Sequence, residues 1–335
     1  MAVLVQEYRN NIVENYHNGR ICIVDYNGKV IHSIGDTEQL TYFRSASKPI
    51  QLLPLFEYQL DRKYGLTEEE LTIMAASHAG ESYHIKTIES IMNKCDIQEQ
   101  DFITKPTYPA RLEDRIAMYA SGTQPRRIHH NCSGKHLALM LIARHLGNYT
   151  KDAHKNYWQV DCPAQLEVRR VISKLTDYPS QQIGIGVDGC GVPVFATPMR
   201  NISLAYLRLA RPELIEEQAL REGARKIASY YNRHPLFVRG TNYLCSIFNT
   251  DDNIIAKGGA QGVYCFGMKK EKLGVSVKVE DGSEHTMAQI VEQILIQLGY
   301  DNQSTIDKID SICSKTIIND NDTPVGKLIT CFNLK

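Results

Sequence analysis

The sequence predicts an α/β fold of the α+β kind, in which both chain ends build one antiparallel sheet around an inserted helical region. Strand-like alternation fills residues 2–35, helical periodicity dominates the middle of the chain, and strand patterns return after residue 253. Strands at the two ends can share one buried core if they pair with each other. We therefore predict a single domain over residues 1–335, with the sheet from about 1–45 and 250–335 and the helices from about 46–249.

The first strands lead directly into a helix. Residues 2–8 and 19–25 have strand character, and Asn27-Gly28 predicts a type I′ turn into residues 30–34. After Tyr-Phe-Arg-Ser-Ala-Ser-Lys-Pro at residues 42–49, apolar residues recur at helical spacing, with Pro49 in the first turn.

The remaining elements follow from periodicity and capping signals. Thr67 and Glu70 form a capping box that begins a helix. Further helices are predicted at 84–93, 111–119, 131–145, 163–175, 212–230 and 241–248, with a short strand at 181–187. Strands at 253–256, 263–268 and 273–279 precede an amphipathic helix at 287–298 that is expected to cover the sheet. This outline is similar to that of serine β-lactamases and penicillin-binding proteins.

Composition excludes several classes of function. Lys plus Arg and Asp plus Glu both number 38, which argues against nucleic-acid and membrane-surface roles. Apolar runs are too short for a membrane span, and Glu7 and Arg9 interrupt the first apolar residues too early for a secretory signal. Nine scattered cysteines are typical of reduced thiols rather than a disulfide framework. We expect a cytoplasmic protein.

Ser45 and Lys48 form a Ser-x-x-Lys pattern at the start of a predicted helix. This spacing puts both side chains on one face, one turn apart. The positive end of the helix dipole stabilises a developing alkoxide or oxyanion, and a lysine kept neutral by burial or nearby cations can take the serine proton. The pattern is known from penicillin-recognising enzymes, although it also occurs by chance.

Two other stretches carry candidate catalytic groups. Ser77 lies at the end of a helix in Ala-Ser-His-Ala-Gly-Glu and supplies a second hydroxyl, although this stretch also fits a simple helix stop. Lys257 precedes Gly258 and Gly259 at a predicted strand edge, where glycines let a substrate approach the backbone and the lysine adds a cation. The alternative for this edge is a β-bulge with a solvated lysine.

A Cys/His-rich stretch suggests a metal centre. Residues 129–136 read His-His-Asn-Cys-Ser-Gly-Lys-His, and Cys190 lies on the Gly-rich turn that begins at Asp188. Two thiols with nitrogen donors suit zinc, although the spacing is not that of a zinc finger and buried inert cysteines remain an alternative. From the residues alone, His136 is a more usual nitrogen ligand than Lys135.

Five motifs together resemble one family. Arg-Ser-Ala-Ser-Lys-Pro, Ser-His-Ala-Gly-Glu, His-His-Asn-Cys-Ser-Gly-Lys-His, Val-Asp-Gly-Cys-Gly-Val-Pro and Ala-Lys-Gly-Gly-Ala-Gln-Gly occur in this order. The chain is similar along nearly its whole length to the class 3, Rhizobium-type L-asparaginases of the asparaginase II family. Gln261 departs from a frequent acidic residue of the family, which leaves the detailed substrate contacts open.

The resemblance implies a β-lactamase-like fold, a homodimer and the hydrolysis of L-asparagine to L-aspartate and ammonia. It implies two Ser–Lys tandems, Ser45 with Lys48 and Ser77 with Lys257, and a zinc site formed by Cys132, Lys135 and Cys190. The implied substrate-binding residues are Arg44, His136, Asp188, Gly258 and Gly259.

The expected mechanism begins when neutral Lys48 deprotonates Ser45, which attacks the side-chain amide. The oxyanion is expected at the N–H of Ser45 and at a strand-edge N–H near Gly258 or Gly259, and Ser77 with Lys257 assists the departure of ammonia. Zinc either anchors the substrate or fixes the cysteine loops.

Two other classes of protein share parts of this pattern. A β-lactam hydrolase or other amidase shares the Ser-x-x-Lys helix. A non-catalytic amino-acid or zinc sensor would account for the cysteines but not for Ser45 and Lys48.

Overall fold

The computed structural model describes residues 2–150 and 152–334. The strands of this part of the chain are β1 (Ala2–Arg9), β2 (Ile12–Val24), β3 (Val30–Ile34), β4 (Leu40–Tyr42), β5 (Gly184–Val187), β6 (Pro193–Pro198), β7 (Ile254–Gly259), β8 (Val263–Met268), β9 (Leu273–Val279), β10 (Thr316–Ile318) and β11 (Pro324–Thr330). The helices are α1 (Lys48–Gln51), α2 (Leu53–Glu57), α3 (Leu60–Lys63), α4 (Glu68–Met74), α5 (Ser82–Cys95), α6 (Leu112–Ser121), α7 (Ser133–Leu146), α8 (Pro163–Thr176), α9 (Met199–Ala210), α10 (Gln218–Arg233), α11 (Pro235–Val238), α12 (Leu244–Phe248), α13 (Met287–Gln297) and α14 (Gln303–Asp310).

The main sheet is antiparallel and is built from both chain ends. Its order is β10-β11-β1-β2-β9-β8-β7, and β3 pairs with β2. The register Val5↔Thr330 joins the two ends at β1 and β11, and Ile21↔Val277 joins them again at β2 and β9. The predicted arrangement is confirmed: an α/β chain whose two ends build one antiparallel sheet, with a helical region inserted between them.

Helices cover both faces of this sheet. Helix α9 lies so close to one face that a Cβ on Gly274 would sit 2.0 Å from the Ser203 carbonyl oxygen, and one on Gly267 would sit 2.3 Å from that of Tyr206. Cys22 and Val24 face α9, and Ile21 and Ile23, which alternate with them, are also fully buried on the opposite face. Helix α13 contacts the same sheet at β11. Within the described residues, each helix is too short or too polar to cross a bilayer.

Local predictions succeeded where the signal was a side-chain cap and failed where backbone context decided. The capping box is confirmed: Glu70 N–H donates to Thr67 Oγ1 at 3.3 Å, and Thr67 N–H donates to Glu70 Oε2 at 2.8 Å. The type I′ turn is wrong, because Gly28 has a positive φ of 74° and Asn27 does not. Asp25 Oδ1 accepts the N–H groups of Asn27 and Lys29 and closes a longer turn instead.

The segment before residue 230 also differs from the prediction. The helix expected at 212–230 begins only at Gln218, and a separate helix, α9, precedes it. Strands β4, β6 and β5 form a small second sheet, of which only β5 was predicted, within the strand expected at 181–187. This sheet holds the turn that carries Ser45, because Phe43 N–H donates to the Phe195 carbonyl at 3.0 Å.

Candidate active site

A cavity of about 430 Å³ opens at the outer edge of β7. Ser45, Ser77 and Lys257 all line it, although they come from three distant segments of the chain. The structure therefore brings three of the four predicted catalytic residues to one cavity. The fourth, Lys48, lies directly behind this wall and is only 1% exposed.

Ser45 lies in a tight, strained turn at the amino end of a short helical run. The residue before it, Arg44, has a positive φ of 49°, which is costly for a side chain of this size. Ala46 N–H donates to the Phe43 carbonyl at 3.1 Å, and the Ala46 carbonyl accepts the hydroxyl of Tyr206 at 2.7 Å. These contacts hold Ser45 at the point where the 3-10 turn Arg44–Ser47 continues into α1.

Gly259 lets the edge of the sheet touch this turn. A Cβ at Gly259 would lie 2.6 Å from the Phe43 carbonyl oxygen and 3.1 Å from Arg44 Cβ. Any side chain would therefore push β7 away from the Ser45 turn, since backbone atoms cannot move aside locally. The role of this glycine is close packing of two walls of the cavity.

The outer edge of β7 has its backbone groups satisfied up to Ala260. Asn249 bonds both the N–H and the carbonyl of Ala256, at 3.0 and 2.7 Å. Gly258 N–H donates to Cys245 Sγ at 3.0 Å, and its carbonyl accepts Lys257 Nζ at 2.7 Å. The next peptide along this edge is that of Ala260, whose N–H has no partner in residues 2–150 and 152–334.

The backbone hydrogen bonds of β7 point to a different oxyanion donor from the one expected. Strand-edge donors were expected near Gly258 or Gly259, but the Gly258 N–H is already bonded to sulfur and Gly259 pairs with Val263 of β8. Ser45 N–H, like that of Ala260, lacks a partner among the described residues. Two unpartnered backbone donors therefore lie at the cavity, one on each wall.

Lys48 contacts Ser77 rather than Ser45. Its Nζ donates to Ser77 Oγ at 2.8 Å and to the Ala76 carbonyl at 2.6 Å, and among the described residues no hydrogen bond joins it to Ser45 Oγ. Burial lowers the pKa of Lys48 below its ordinary value. We call Ser45, Lys48, Ser77 and Lys257 the serine–lysine cluster.

Lys257 is the second buried lysine of this cluster and is also 1% exposed. Burial, reinforced by the charge of Lys48, lowers the pKa of Lys257 from 10.5 to about 8, while Cys245 acts in the opposite direction. A lysine with this pKa exchanges protons close to neutral pH.

The predicted metal ligands form a second group that touches the first. Lys135 Nζ donates to Cys190 Sγ at 3.0 Å and lies 3.7 Å from Asp188 Oδ2, and the Cys132 thiol interacts with that of Cys190. We call Cys132, Lys135, Asp188 and Cys190 the thiol cluster. Arg44 joins it to the Ser45 turn, because Arg44 Nε donates to Asp188 Oδ1 at 2.9 Å.

The electrostatics of the thiol cluster favour one thiolate and one ammonium. The hydrogen bond from Cys190, with the ammonium groups of Lys48 and Lys135, lowers the pKa of Cys132 well below its ordinary value despite burial. The same bond and burial raise the pKa of Cys190. Burial opposes the charge on Lys135, but the two cysteines and Asp188 raise its pKa above the ordinary value.

Three of the predicted substrate-binding residues lie outside the cavity wall. Arg44 and Asp188 are paired with each other, and His136 is fully buried against Tyr157, whose hydroxyl lies 2.7 Å from His136 Nδ1. Burial lowers the pKa of His136, so the ring is neutral, and its Nε2 has no partner in the described chain. Their roles toward substrate stay predictions.

Arg239 also lines the cavity, although no sequence motif pointed to it. Its Nη1 donates to the Ser77 carbonyl at 2.9 Å, and its guanidinium lies 4.7 Å from the ring centre of Tyr243. No carboxylate of residues 2–150 and 152–334 pairs with it. Tyr264, which the sequence also did not identify, lines the cavity with a buried hydroxyl that interacts with Cys245. Neither residue stands in a recognisable motif.

The structure thus places two serines and two lysines at or directly behind one cavity, beside a pair of buried thiols. The sequence model of the L-asparaginase II family matches residues 5–330, and the chain belongs to this family. Family membership makes it an amidohydrolase.

Comparison with solved structures gave distant matches. One, titled "Crystal Structure Analysis of Mglu", has 13% sequence identity and a TM-score of 0.45 over 84% of this chain and 67% of that chain. Another, a Bacillus glutaminase crystallised in 4.3 M NaCl, has 13% identity and a TM-score of 0.39 over 84% of this chain and 91% of that chain. A search of curated proteins gave no significant match.

Proposed function

We propose that this amidohydrolase is an L-asparaginase that converts L-asparagine to L-aspartate and ammonia, with Ser45 as the nucleophile. One observation carries the proposal: the Ser45 hydroxyl lines a cavity at which two backbone N–H groups, those of Ser45 and Ala260, have no partner among the described residues. Donors held ready for a developing oxyanion are the main source of catalysis in acyl transfer.

Lys48 and Ser77 support a proton path behind Ser45. Their 2.8 Å hydrogen bond lets Ser77 pass the Ser45 proton to Lys48 while Ser45 Oγ bonds to the amide carbon. The same path then returns the proton to the amide nitrogen, so that the carbon–nitrogen bond breaks and ammonia leaves. Water then attacks the aspartyl ester while its proton passes to Lys48, and the proton returns to Ser45 Oγ as the ester carbon–oxygen bond breaks and L-aspartate leaves.

Arg239 is our candidate for binding the α-carboxylate of the substrate. It is a cavity-lining guanidinium without a carboxylate partner in the described residues, and guanidinium groups bind carboxylates in a bidentate manner. Arg239→Met should raise KM about 10- to 100-fold, the equivalent of one charged hydrogen bond, with a smaller change in kcat. Arg200→Met, at an exposed pair with Glu38, is the matched control that should leave KM unchanged.

The thiol cluster fits zinc in its donor chemistry. Cys132, Lys135 and Cys190 are buried and in mutual contact, and two thiols with a nitrogen donor suit this ion. Lys135 would have to lose its proton on binding. When bound, zinc would supply a Lewis acid that either anchors the substrate or fixes the two cysteine loops.

The zinc proposal is tested by metal analysis of protein purified without chelator. Cys190→Ala should contain about one zinc per chain less than Cys313→Ala, whose thiol lies elsewhere. Equal zinc contents in the two variants would overturn it.

We also propose a cytoplasmic homodimer. All nine cysteines lie in the described residues and none forms a disulfide, which suits a reducing compartment. Light scattering after gel filtration should give about twice the chain mass of 37.9 kDa, and a monomeric mass at working concentrations would contradict the dimer.

The function itself is tested by measuring ammonia release from L-asparagine and from L-glutamine, beside hydrolysis of a chromogenic cephalosporin. We expect the highest kcat/KM for L-asparagine. A higher kcat/KM for L-glutamine would show that the enzyme is a glutaminase instead. Hydrolysis of the cephalosporin alone would favour a β-lactam hydrolase, and amino-acid binding without turnover would favour a sensor.

A further inference from the structure

We propose that Glu7, His17 and His285 form a second metal site, for a divalent transition ion such as Zn²⁺ or Ni²⁺. These three residues come from β1, β2 and the loop before α13. Their side-chain atoms Oε1, Nε2 and Nε2 could each supply one ligand, and all lie within 4.8 Å of one another. The site shares no residue with the thiol cluster.

The distances between the donor atoms suit a tetrahedral ion. Glu7 Oε1 lies 3.1 Å from His17 Nε2 and 2.9 Å from His285 Nε2. Metal–ligand bonds of about 2.0–2.1 Å put tetrahedral ligands about 3.3 Å apart, so an ion needs only a small expansion of the group. The two imidazole rings meet edge to face, at 84° and 5.3 Å between centroids, which leaves both Nε2 atoms directed at the same oxygen.

Neighbouring side chains orient two of the three ligands. Asp281 Oδ2 lies 2.6 Å from His17 Nδ1, and Asn15 Nδ2 donates to Glu7 Oε2 at 2.7 Å. These contacts leave His17 Nε2 and Glu7 Oε1 for the ion. A carboxylate behind a metal-binding histidine is a recurrent arrangement that fixes the ring and its tautomer.

The ligand types indicate which ion would bind, and the exposure of His285 indicates how the ion would enter. Two imidazoles and one carboxylate favour zinc, nickel or copper over magnesium or calcium. The His285 side chain is 50% exposed, so an ion can enter from solvent and a water can complete its coordination. Glu7 and His17, at 13% and 7%, are enclosed.

The position of the site gives it a structural role at the cavity. His285 and its neighbour Glu284 line the cavity that contains Ser45, whereas Glu7 and His17 belong to the sheet. A bound ion would therefore tie the loop at residues 281–286 to β1 and β2. The loop should become more resistant to proteolysis when the ion binds, and a chelator should reverse this effect.

The test compares metal binding by untagged, chelator-stripped wild type and His285→Gln, titrated with Zn²⁺ and separately with Ni²⁺. Wild type should bind one equivalent per chain more than the variant, a difference to which the thiol cluster does not contribute because both proteins contain it. His145→Gln removes another accessible histidine that bonds only Tyr149, and it should keep the equivalent. Asp281→Asn should weaken binding about 10- to 100-fold.

Co²⁺ substitution assigns the lost equivalent to a type of ligand. The difference spectrum between wild type and His285→Gln should show d–d bands without thiolate-to-metal charge transfer. Equal metal equivalents and affinities in wild type and His285→Gln would overturn the proposal. The three side chains would then be a hydrogen-bonded group without a metal ion. If His285→Gln fails to fold, Glu7→Gln provides the same comparison.

Discussion

The serine–lysine cluster and the thiol cluster touch each other and both bury lysines, yet their surroundings act on these lysines in opposite directions. Burial lowers the pKa of Lys48, and lowers that of Lys257 to about 8. Lys135 is buried to the same degree, but Cys132, Cys190 and Asp188 raise its pKa. Burial is similar in the two clusters, so the balance of neighbouring charges decides the direction. Asp188 adds to the two cysteines beside Lys135, whereas the charge of Lys135 opposes the effect of these cysteines on Lys48. Lys48 and Lys257 are therefore better suited to move protons, whereas Lys135 acts as a fixed cation.

Lys48 lies where the two clusters meet. It bonds Ser77 on one side, and Cys132 hydrogen-bonds it on the other and favours its charged form. The thiol cluster therefore influences the proton path through one residue. Substitutions in each cluster test how far the two clusters act separately.

The largest expected effect is that of Ser45→Ala. Loss of the nucleophile should lower kcat for amide hydrolysis by about three or more decades while the fold is retained, since only one hydroxyl is removed. Ammonia release and circular dichroism check the two parts. Ser314→Ala removes another hydroxyl from the same cavity wall and should retain near-normal activity. Activity within about tenfold of wild type in Ser45→Ala would rule out Ser45 as the nucleophile.

The second prediction compares the two kinds of lysine by stability. In metal-free protein near neutral pH, Lys135→Met removes the buried cation that Cys132, Cys190 and Asp188 share and leaves only Arg44 beside Asp188 and Lys48 beside Cys132, which should cost about 3 kcal/mol. Lys257→Met removes a buried cation that has no carboxylate partner among the described residues, so its cost should be under about 1 kcal/mol, or it should stabilise. Urea unfolding measures both. Equal losses in the two variants would show that the partner does not matter.

How much of this could be predicted from the sequence depends on the range of the interactions involved. Alternating burial is a local property, so residues 2–35 and 253–279 predicted most strands of the sheet correctly, whereas β10 and β11 were not predicted individually. The small sheet was not predicted as a sheet because its strands are only three to six residues long. In addition, β4 pairs with β6, which is distant in sequence. Helix α9 was missed because it begins directly after β6 with no side-chain cap to mark its start.

The predictions for the candidate site also succeeded for local features and failed for contacts between distant segments. Motifs identified Ser45, Ser77 and Lys257, which now share a cavity. The bond from Lys48 to Ser77 could not be predicted, because helix spacing gives a shared face but not the direction of a long side chain. Lys135 and His136 show the opposite case. Adjacent helical residues point about 100° apart, so one meets Cys190 and the other Tyr157.

The third prediction follows from the pKa of Lys257. The folded value of about 8 lies below the ordinary 10.5, so between these values the folded chain holds fewer protons than the unfolded chain. The Lys257 contribution to stability therefore rises with pH across this window, and its burial penalty is complete below about pH 8. The difference between these two pKa values corresponds to about 3 kcal/mol in the free energy of unfolding. Unfolding of wild type and Lys257→Met at a series of pH values should show wild type gaining by this amount relative to the variant, whereas a pH-independent difference would contradict the assignment.

The smallest effects come from two glycines, one beside each cluster. Gly259→Ala would place a Cβ 2.6 Å from the Phe43 carbonyl oxygen, so β7 and the Ser45 turn must separate, at a cost of about 1–3 kcal/mol. Because this movement also separates the N–H groups of Ser45 and Ala260, kcat should fall more than KM rises. Gly189→Ala is the matched control beside Cys190: its added Cβ meets nothing within 4 Å, and its φ is not in the left-handed region. Thermal unfolding and steady-state kinetics of both variants separate packing at the sheet edge from packing at the thiol loop. A Gly259→Ala enzyme with unchanged kcat would show that the two donors do not need this contact to hold their positions.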